Sequence, residues 1–316
     1  MDLDIPIFQF NTHVLGGTEY QAKTFHERVL PESPNFLNYL CMIFPGKNLS
    51  DIHVPTIDKD IIVWAHNLPS QYDPSLTKSY FQSGLIFDKI KYLIVPSEYA
   101  KKQTMLESDM PAEKIYVIPN GIDPLKYDPS RFKDVKKVKL AYTSSHTRGM
   151  IILLNALTYI KQDFELNIFN DFYPEMYLEN PFTTDPRINF YGKTPRKTMY
   201  KYLQQSHIFS YPTTFLETFC IAAAESMSAG LLPVYSEMGN LPDVINGYGL
   251  KTEGPKEIDG VVNGDEFAQR YSEILSEGID IILSNKWDPS DQVEYINKTY
   301  GWDSVIKKWK EFHETI

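Results

Sequence analysis

The sequence predicts an α/β protein built from two parallel sheets, each covered by helices on both faces. Short apolar runs alternate with amphipathic segments along the whole chain, the pattern of successive βαβ units. The connections between them are short, which suits strands that run parallel with a helix between each pair. The 316 residues exceed what one core usually holds, so two domains of roughly 150 residues each are expected.

The first series of strands is expected at Ile5–Phe10, Phe36–Ile43, Ile61–Ala65, Tyr92–Val95 and Ile115–Ile118. The second is expected at Val138–Tyr142, Phe164–Phe169, Ile188–Tyr191, Ile208–Tyr211 and Leu232–Tyr235. Amphipathic segments near 18–29, 75–88, 98–108, 149–160, 196–205 and 218–229 supply the covering helices. Turn signals at Asn120-Gly121 and Asp123-Pro124 mark the boundary, and Lys126–Lys139, with Arg131, Lys133, Lys136 and Lys137, reads as a solvated segment beyond it, with an anion site as the other reading. The domains are therefore 1–124 and 125–299. From Asp265 onward the chain reads as helical, ending in Trp302, Val305, Ile306, Trp309 and Phe312, spaced as one apolar helix face.

The formal net charge of −10 argues against a large nucleic-acid footprint, which needs a basic face. It also leaves only a local patch for any peripheral contact with an anionic membrane. The two cysteines, Cys41 and Cys220, fit a reduced compartment and have no metal-ligand spacing. Met1-Asp2-Leu3-Asp4 does not open a signal peptide, and no apolar run reaches bilayer-spanning length. A cytoplasmic location is expected, which makes the sequons at Asn48 and Asn297 chance matches. The many tyrosines and phenylalanines read first as core and surface filling.

The most informative stretch follows the strand Ile208–Tyr211 and runs from Phe215 to Gly230. Its alanines favour helix, and Gly230 is placed to end it. Glu217 sits at the strand-to-helix loop, and Glu225 lies roughly 12 Å further along the helix at 1.5 Å per residue. Free N–H groups at Thr218 and Phe219 can hold a diphosphate at the positive helix end. Glu225 can take both hydroxyls of a ribose, and Glu217 can bond a transferred sugar. The alternative for Glu225 is a solvated helix residue, but its neighbours Ala222–Ala224, Met227 and Ala229 point to a buried one, where a carboxylate needs partners.

Two glutamates eight positions apart, inside E-T-F-C-I-A-A-A-E-S-M-S-A-G, resemble the E-x7-E motif of retaining GT-B glycosyltransferases of family 4. Four further stretches match that family in order. Gly16-Gly17-Thr18-Glu19 resembles its N-terminal glycine loop, and Val117–Asp123 its V-I-P-N-G-V-D segment. Phe190-Tyr191-Gly192 resembles its F-x-G strand end, and Gly239–Asp243 its G-G-x-x-E stretch. The resemblance implies two Rossmann-like domains whose parallel sheets face across a cleft, with a C-terminal helix, 300–316, returning to the first domain.

The same resemblance implies site roles. Gly16 and Gly17 would close over the donor phosphates; a plain tight turn is the other reading. His66, ending the strand Ile61–Ala65, stands where a histidine often contacts the donor sugar, or is simply a satisfied structural residue. In Thr143–Gly149, Arg148 takes the lysine position of G-R-x-x-x-x-K-G and Thr143 replaces the arginine. Arg148 would then grip phosphate, or form a surface ion pair, with Ser144 and Ser145 as hydroxyl donors. Cys220 stands where glycine is common, and Lys193 and Thr194 follow Gly192 where the base is cradled. Asp58-Lys59-Asp60 matches a metal-binding D-x-D but precedes its strand, so it reads as solvated loop and no metal or other cofactor is expected.

Together these imply a retaining, metal-independent hexosyltransferase. It would move sugar from a GDP- or UDP-type nucleotide sugar to a hydroxyl of a glycan, a lipid-linked or a small-molecule acceptor. The alternatives are a GT-B-fold phosphorylase or epimerase, and a non-catalytic nucleotide-sugar-binding scaffold, the latter motivated by the missing arginine.

Overall fold

Among the described residues, strands form where the apolar runs call for them. The computed structural model describes residues 17–32, 40–43, 61–72, 90–108, 110–170, 184–255, 257–258 and 261–316. The expected strand Ile5–Phe10, the helix near 75–88, Gly16 and Asp58–Asp60 lie outside the described residues. The chain divides into two units: Met1–Gly121 with Trp302–Ile316, and Ile122–Gly301.

In the first unit, helix α1 spans Gly17–Arg28, and strands β1 Leu40–Ile43, β2 Ile61–Ala65, β3 Ile90–Val95 and β4 Ile115–Val117 form a parallel sheet in that order. Two helices, α2 Pro69–Tyr72 and α3 Glu98–Glu107, connect them, and Ser97 caps α3 by accepting a hydrogen bond from Ala100 N. The last helix of the chain (Trp302–His313) buries Trp302, Val305, Trp309 and Phe312 against Phe25 of α1 and Trp64 of β2, with Ile306 only partly buried. Gln21, fully buried on α1, holds both backbone groups of Gly121: its Nε2 donates to Gly121 O at 2.7 Å and its Oε1 accepts from Gly121 N at 2.9 Å.

The second unit carries a six-stranded sheet. Its strands are β5 Val138–Tyr142, β6 Phe164–Ile168, β7 Ile188–Phe190, β8 Ile208–Tyr211, β9 Leu232–Glu237 and β10 Leu250–Glu253. They are parallel throughout, in the order β10-β9-β8-β5-β6-β7. The sequence predicts five strands for this unit; β10 is the sixth, at the sheet edge. Helices α4 Met150–Leu157, α5 Arg196–Leu203, α6 Ile221–Ser228, α7 Leu241–Ile245, α8 Gly264–Leu283 and α9 Ser290–Tyr300 cover it, and Trp302–His313 becomes α10. Gly278 lets α8 lie close on the sheet, since a Cβ there would touch Val234, Leu232 and Ile208.

Strand order reverses between β5 and β8, because chain progress runs outward in both directions from that pair. Such a switch point opens a crevice at the carboxyl ends of the two strands, where open α/β sheets bind ligands.

Candidate active site at the strand switch point

Two loops leave the switch point, and both carry residues singled out in the sequence. After β5 come Thr143, Ser144, Ser145 and Arg148; after β8 comes the loop to Glu217. Two glycines allow close approaches to the loop after β8, one from the loop after β5 and one from the loop after β9. Gly149, at φ 92°, lies where a Cβ would collide with the Pro212 carbonyl. Gly239, at φ 61°, lies where one would collide with the Glu217 backbone, whose carbonyl accepts from Asn240 N at 2.7 Å. Both φ values favour glycine, so the close approach and the backbone conformation demand the same residue.

Glu217 is buried, and its Oε1 accepts two hydrogen bonds, from Arg148 Nη1 at 2.8 Å and from the Tyr211 hydroxyl at 2.5 Å. No hydrogen bond to its Oε2 occurs among the described residues. The Arg148 guanidinium also lies over the Phe215 ring, 4.0 Å from its centre. Burial works against the Arg148 charge, but the Glu217 carboxylate outweighs it and the pKa is raised. Burial, then the Glu217 charge, pushes the Tyr211 hydroxyl well up, so it stays a donor. Ser144 Oγ lies 3.0 Å from the Tyr211 hydroxyl. Since the tyrosine proton goes to an acceptor-only carboxylate, the serine proton goes to the tyrosine oxygen. Ser144 is thus an acceptor toward any ligand, where the sequence suggested a donor. The Ser145 carbonyl accepts from the Tyr142 hydroxyl at 2.7 Å, and its Oγ lies 3.2 Å from Thr147 Oγ1. Thr143 Oγ1 is buried with no hydrogen-bond partner among the described residues.

Helix α6 begins at Ile221, later than the sequence suggests. Cys220 takes φ 74° in the left-handed region, which breaks the helical run, and Thr218 and Phe219 precede the first turn. Their amides are therefore loop groups and not those of the helix's first turn. The Cys220 thiol is pushed well up by burial and then by Glu217, which keeps it neutral and unsuited to nucleophilic attack.

Glu225 is buried on α6 and held at Oε1 by the Tyr200 hydroxyl at 2.6 Å and by Arg196 Nη2, while Arg196 Nε donates to the Tyr200 oxygen at 3.0 Å. Burial opposes the Arg196 charge and Glu225 overrides it. Arg196, Tyr200 and Tyr211 are not singled out by the sequence motifs. One signal was present: a cation in the first turn of a helix, as Arg196 is in α5, opposes the helix dipole and calls for a carboxylate partner. Lys193 is exposed on the loop after β7, and Thr194 Oγ1 donates back to the Tyr191 carbonyl at 3.1 Å.

In the first unit, Gly17 is the exposed first residue of α1. His66 follows β2 as expected, buried with its ring 4.8 Å from that of Trp64. Burial lowers its pKa to about 3, so the imidazole is neutral and a weak proton acceptor at neutral pH. Among the described residues no group of three His, Cys, Asp or Glu is placed to hold a metal ion, and no helix is long and apolar enough to cross a membrane.

Two α/β units, each with a parallel sheet, and a buried glutamate at the switch point of the second fit a GT-B fold, and solved structures agree. Anabaena HepE in complex with UDP is similar at TM-score 0.68 and 15% identity, over 94% of this chain and 82% of that one. By sequence, residues 182–300 match the family described as glycosyl transferases group 1. A human protein that forms part of phosphatidylinositol N-acetylglucosaminyltransferase is 24% identical over 234 residues, 71% of this chain and 46% of that protein. The lipopolysaccharide 1,2-N-acetylglucosaminetransferase of Salmonella typhimurium is 22% identical over 249 residues, 69% of this chain and 61% of that protein. The chain thus spans about half the length of the human relative.

Proposed function

We propose that this chain is a retaining, metal-independent glycosyltransferase of the family 4 type, acting in the cytoplasm on a UDP-linked hexose, with N-acetylglucosamine as the sugar to test first. The nucleotide follows the UDP complex of HepE, and the sugar follows the names of the human and Salmonella relatives. The reading is carried by one observation: two buried glutamates eight residues apart, each held among the described residues at a single oxygen by an arginine and a tyrosine, with the other oxygen left over.

In this scheme Glu225 Oε2 accepts from the ribose hydroxyls and Glu217 Oε2 from a hydroxyl of the transferred sugar. The bond from the sugar C1 to the phosphate oxygen breaks while the acceptor oxygen bonds to C1 from the same face. The acceptor proton passes to the departing phosphate, so no separate base is required. Arg148 and the amides of Thr218 and Phe219 stabilise the charge that grows on the leaving diphosphate. Lys193 belongs to this donor site by resemblance. The acceptor hydroxyl belongs to a glycan, a lipid-linked or a small-molecule acceptor. UDP and UDP-N-acetylglucosamine should raise the melting temperature, and Glu225→Gln should weaken that shift. No stabilisation by any nucleoside diphosphate or nucleotide sugar refutes the proposal. Thr143 at the arginine position favours a second reading, a nucleotide-sugar-binding scaffold, which requires binding with no release of UDP.

A further inference from the structure

We propose that Tyr211 is a positioning residue for Glu217: its hydroxyl ties down Oε1, leaves Oε2 as the oxygen available to substrate, and is itself oriented by Ser144. This rests on the reading of Glu217 as a sugar contact. Tyr211 ends β8 fully buried, its ring stacked on Phe209 at 5.3 Å and set against Tyr142 at 5.8 Å. An apolar residue would fill that place as well, so packing gives no reason for the hydroxyl. The hydroxyl lies 2.5 Å from Glu217 Oε1 and 3.0 Å from Ser144 Oγ. A hydroxyl has one proton, and a carboxylate can only accept; the chain of bonds therefore runs from Ser144 to Tyr211 to Glu217.

The second donor on Oε1, Arg148, is partly exposed, with 30% of its side chain open to solvent. It is also the cation that a diphosphate would engage, so its hold on Glu217 changes when donor binds. Tyr211 does not face that competition. It keeps the carboxylate in one rotamer through the reaction, and it links the β5 loop to the β8 loop across the switch point.

The test is the kinetics of UDP release from UDP-N-acetylglucosamine by the full chain, with melting temperature as a fold control. Tyr211→Phe should lower kcat by about ten- to a hundredfold, as misplacement of a reacting group does, with KM for the donor within about twofold. Ser144→Ala should lower kcat by about threefold alone and not at all in the Tyr211→Phe background, because both act through one bond. An unchanged kcat in Tyr211→Phe, a loss confined to KM, or additive effects of the two substitutions overturns the assignment. If Tyr211→Phe does not fold, Ser144→Ala decides: lower kcat at constant KM supports the assignment and unchanged kcat overturns it. Glu217→Gln separates the two levels of the argument. A fully active Glu217→Gln refutes the reading of the site, whereas an inactive one beside a fully active Tyr211→Phe refutes only the role of Tyr211. If the unaltered chain releases no UDP, both fall.

Discussion

Replacing Arg148 with methionine exposes the charge balance at the switch point. The substitution keeps an apolar stem and deletes the cation, leaving Glu217, whose side chain is 4% exposed, with the Tyr211 hydroxyl as the one donor to Oε1 among the described residues. Breaking a buried ion pair from one side costs about 3–5 kcal/mol. Two features reduce that figure here. The retained bond from Tyr211 to a charged acceptor contributes about 1.5–3 kcal/mol. Arg148 is also 30% exposed, so part of the pair's field is already screened. The expected loss is about 2–3 kcal/mol. Glu217→Gln removes the buried charge instead and leaves a cation that can reach water, for a loss of about 1–2 kcal/mol. The double variant buries no charge, so its loss falls short of the sum by about 1–2 kcal/mol. Because a two-unit chain need not unfold in one step, hydrogen exchange of β5 and β8 amides along a urea series is the suitable assay. A loss below about 1 kcal/mol for Arg148→Met, or strict additivity in the double variant, would refute this account of the pair.

At Cys220, glycine relieves the left-handed backbone but gives up a buried thiol. These terms nearly cancel, and Cys220→Gly should stay within about 1 kcal/mol of the parent in urea melts, while β-branched Cys220→Val should lose at least about 2 kcal/mol. Two described contributors to acid sensitivity are His66 and His207, whose pKa values burial lowers to about 3 and about 4. The unfolded chain binds protons at these sites from pH ~6.5 downward and the folded one does not, so each group's contribution is complete above that pH and declines by about 1.4 kcal/mol per unit below it. His66→Asn should flatten the melting-temperature profile between about pH 6.5 and 5, whereas an unaltered slope would discount the burial of His66. Trp309 is fully buried between Phe25 and Trp64, and Trp309→Ala should cost the first unit about 3–5 kcal/mol, seen as faster hydrogen exchange in β2 and β3 but not in β5 or β8.

Periodicity located the elements that bury on both faces. Val138–Tyr142 and Ile208–Tyr211 have the limits expected from the sequence, since each is a run of apolar or aromatic residues broken by a single polar one. It missed β10, where Lys251 and Glu253 face solvent and Gly247 and Gly249 suggest only turn. It overran the start of α6, because alanines signal helix and nothing local signals the left-handed turn at Cys220. Glu217 and Glu225 drew attention by residue type and spacing, and Arg148 by the family resemblance. Their partners did not: Arg196 meets Glu225 across 29 positions and Arg148 meets Glu217 across 69, distances set by strand order and not by any local pattern.

The first unit is discontinuous, and that bears on how the chain acquires its structure during synthesis. Residues 122–301 form one contiguous stretch and can close their core as soon as they leave the ribosome. The first unit is made earlier but lacks Trp302, Val305, Trp309 and Phe312, which supply a third of the buried side chains of its core cluster among the described residues. The half translated first is therefore the half completed last, and until α10 arrives the nascent sheet presents Trp64 and Phe25 uncovered, a natural point of engagement for chaperones.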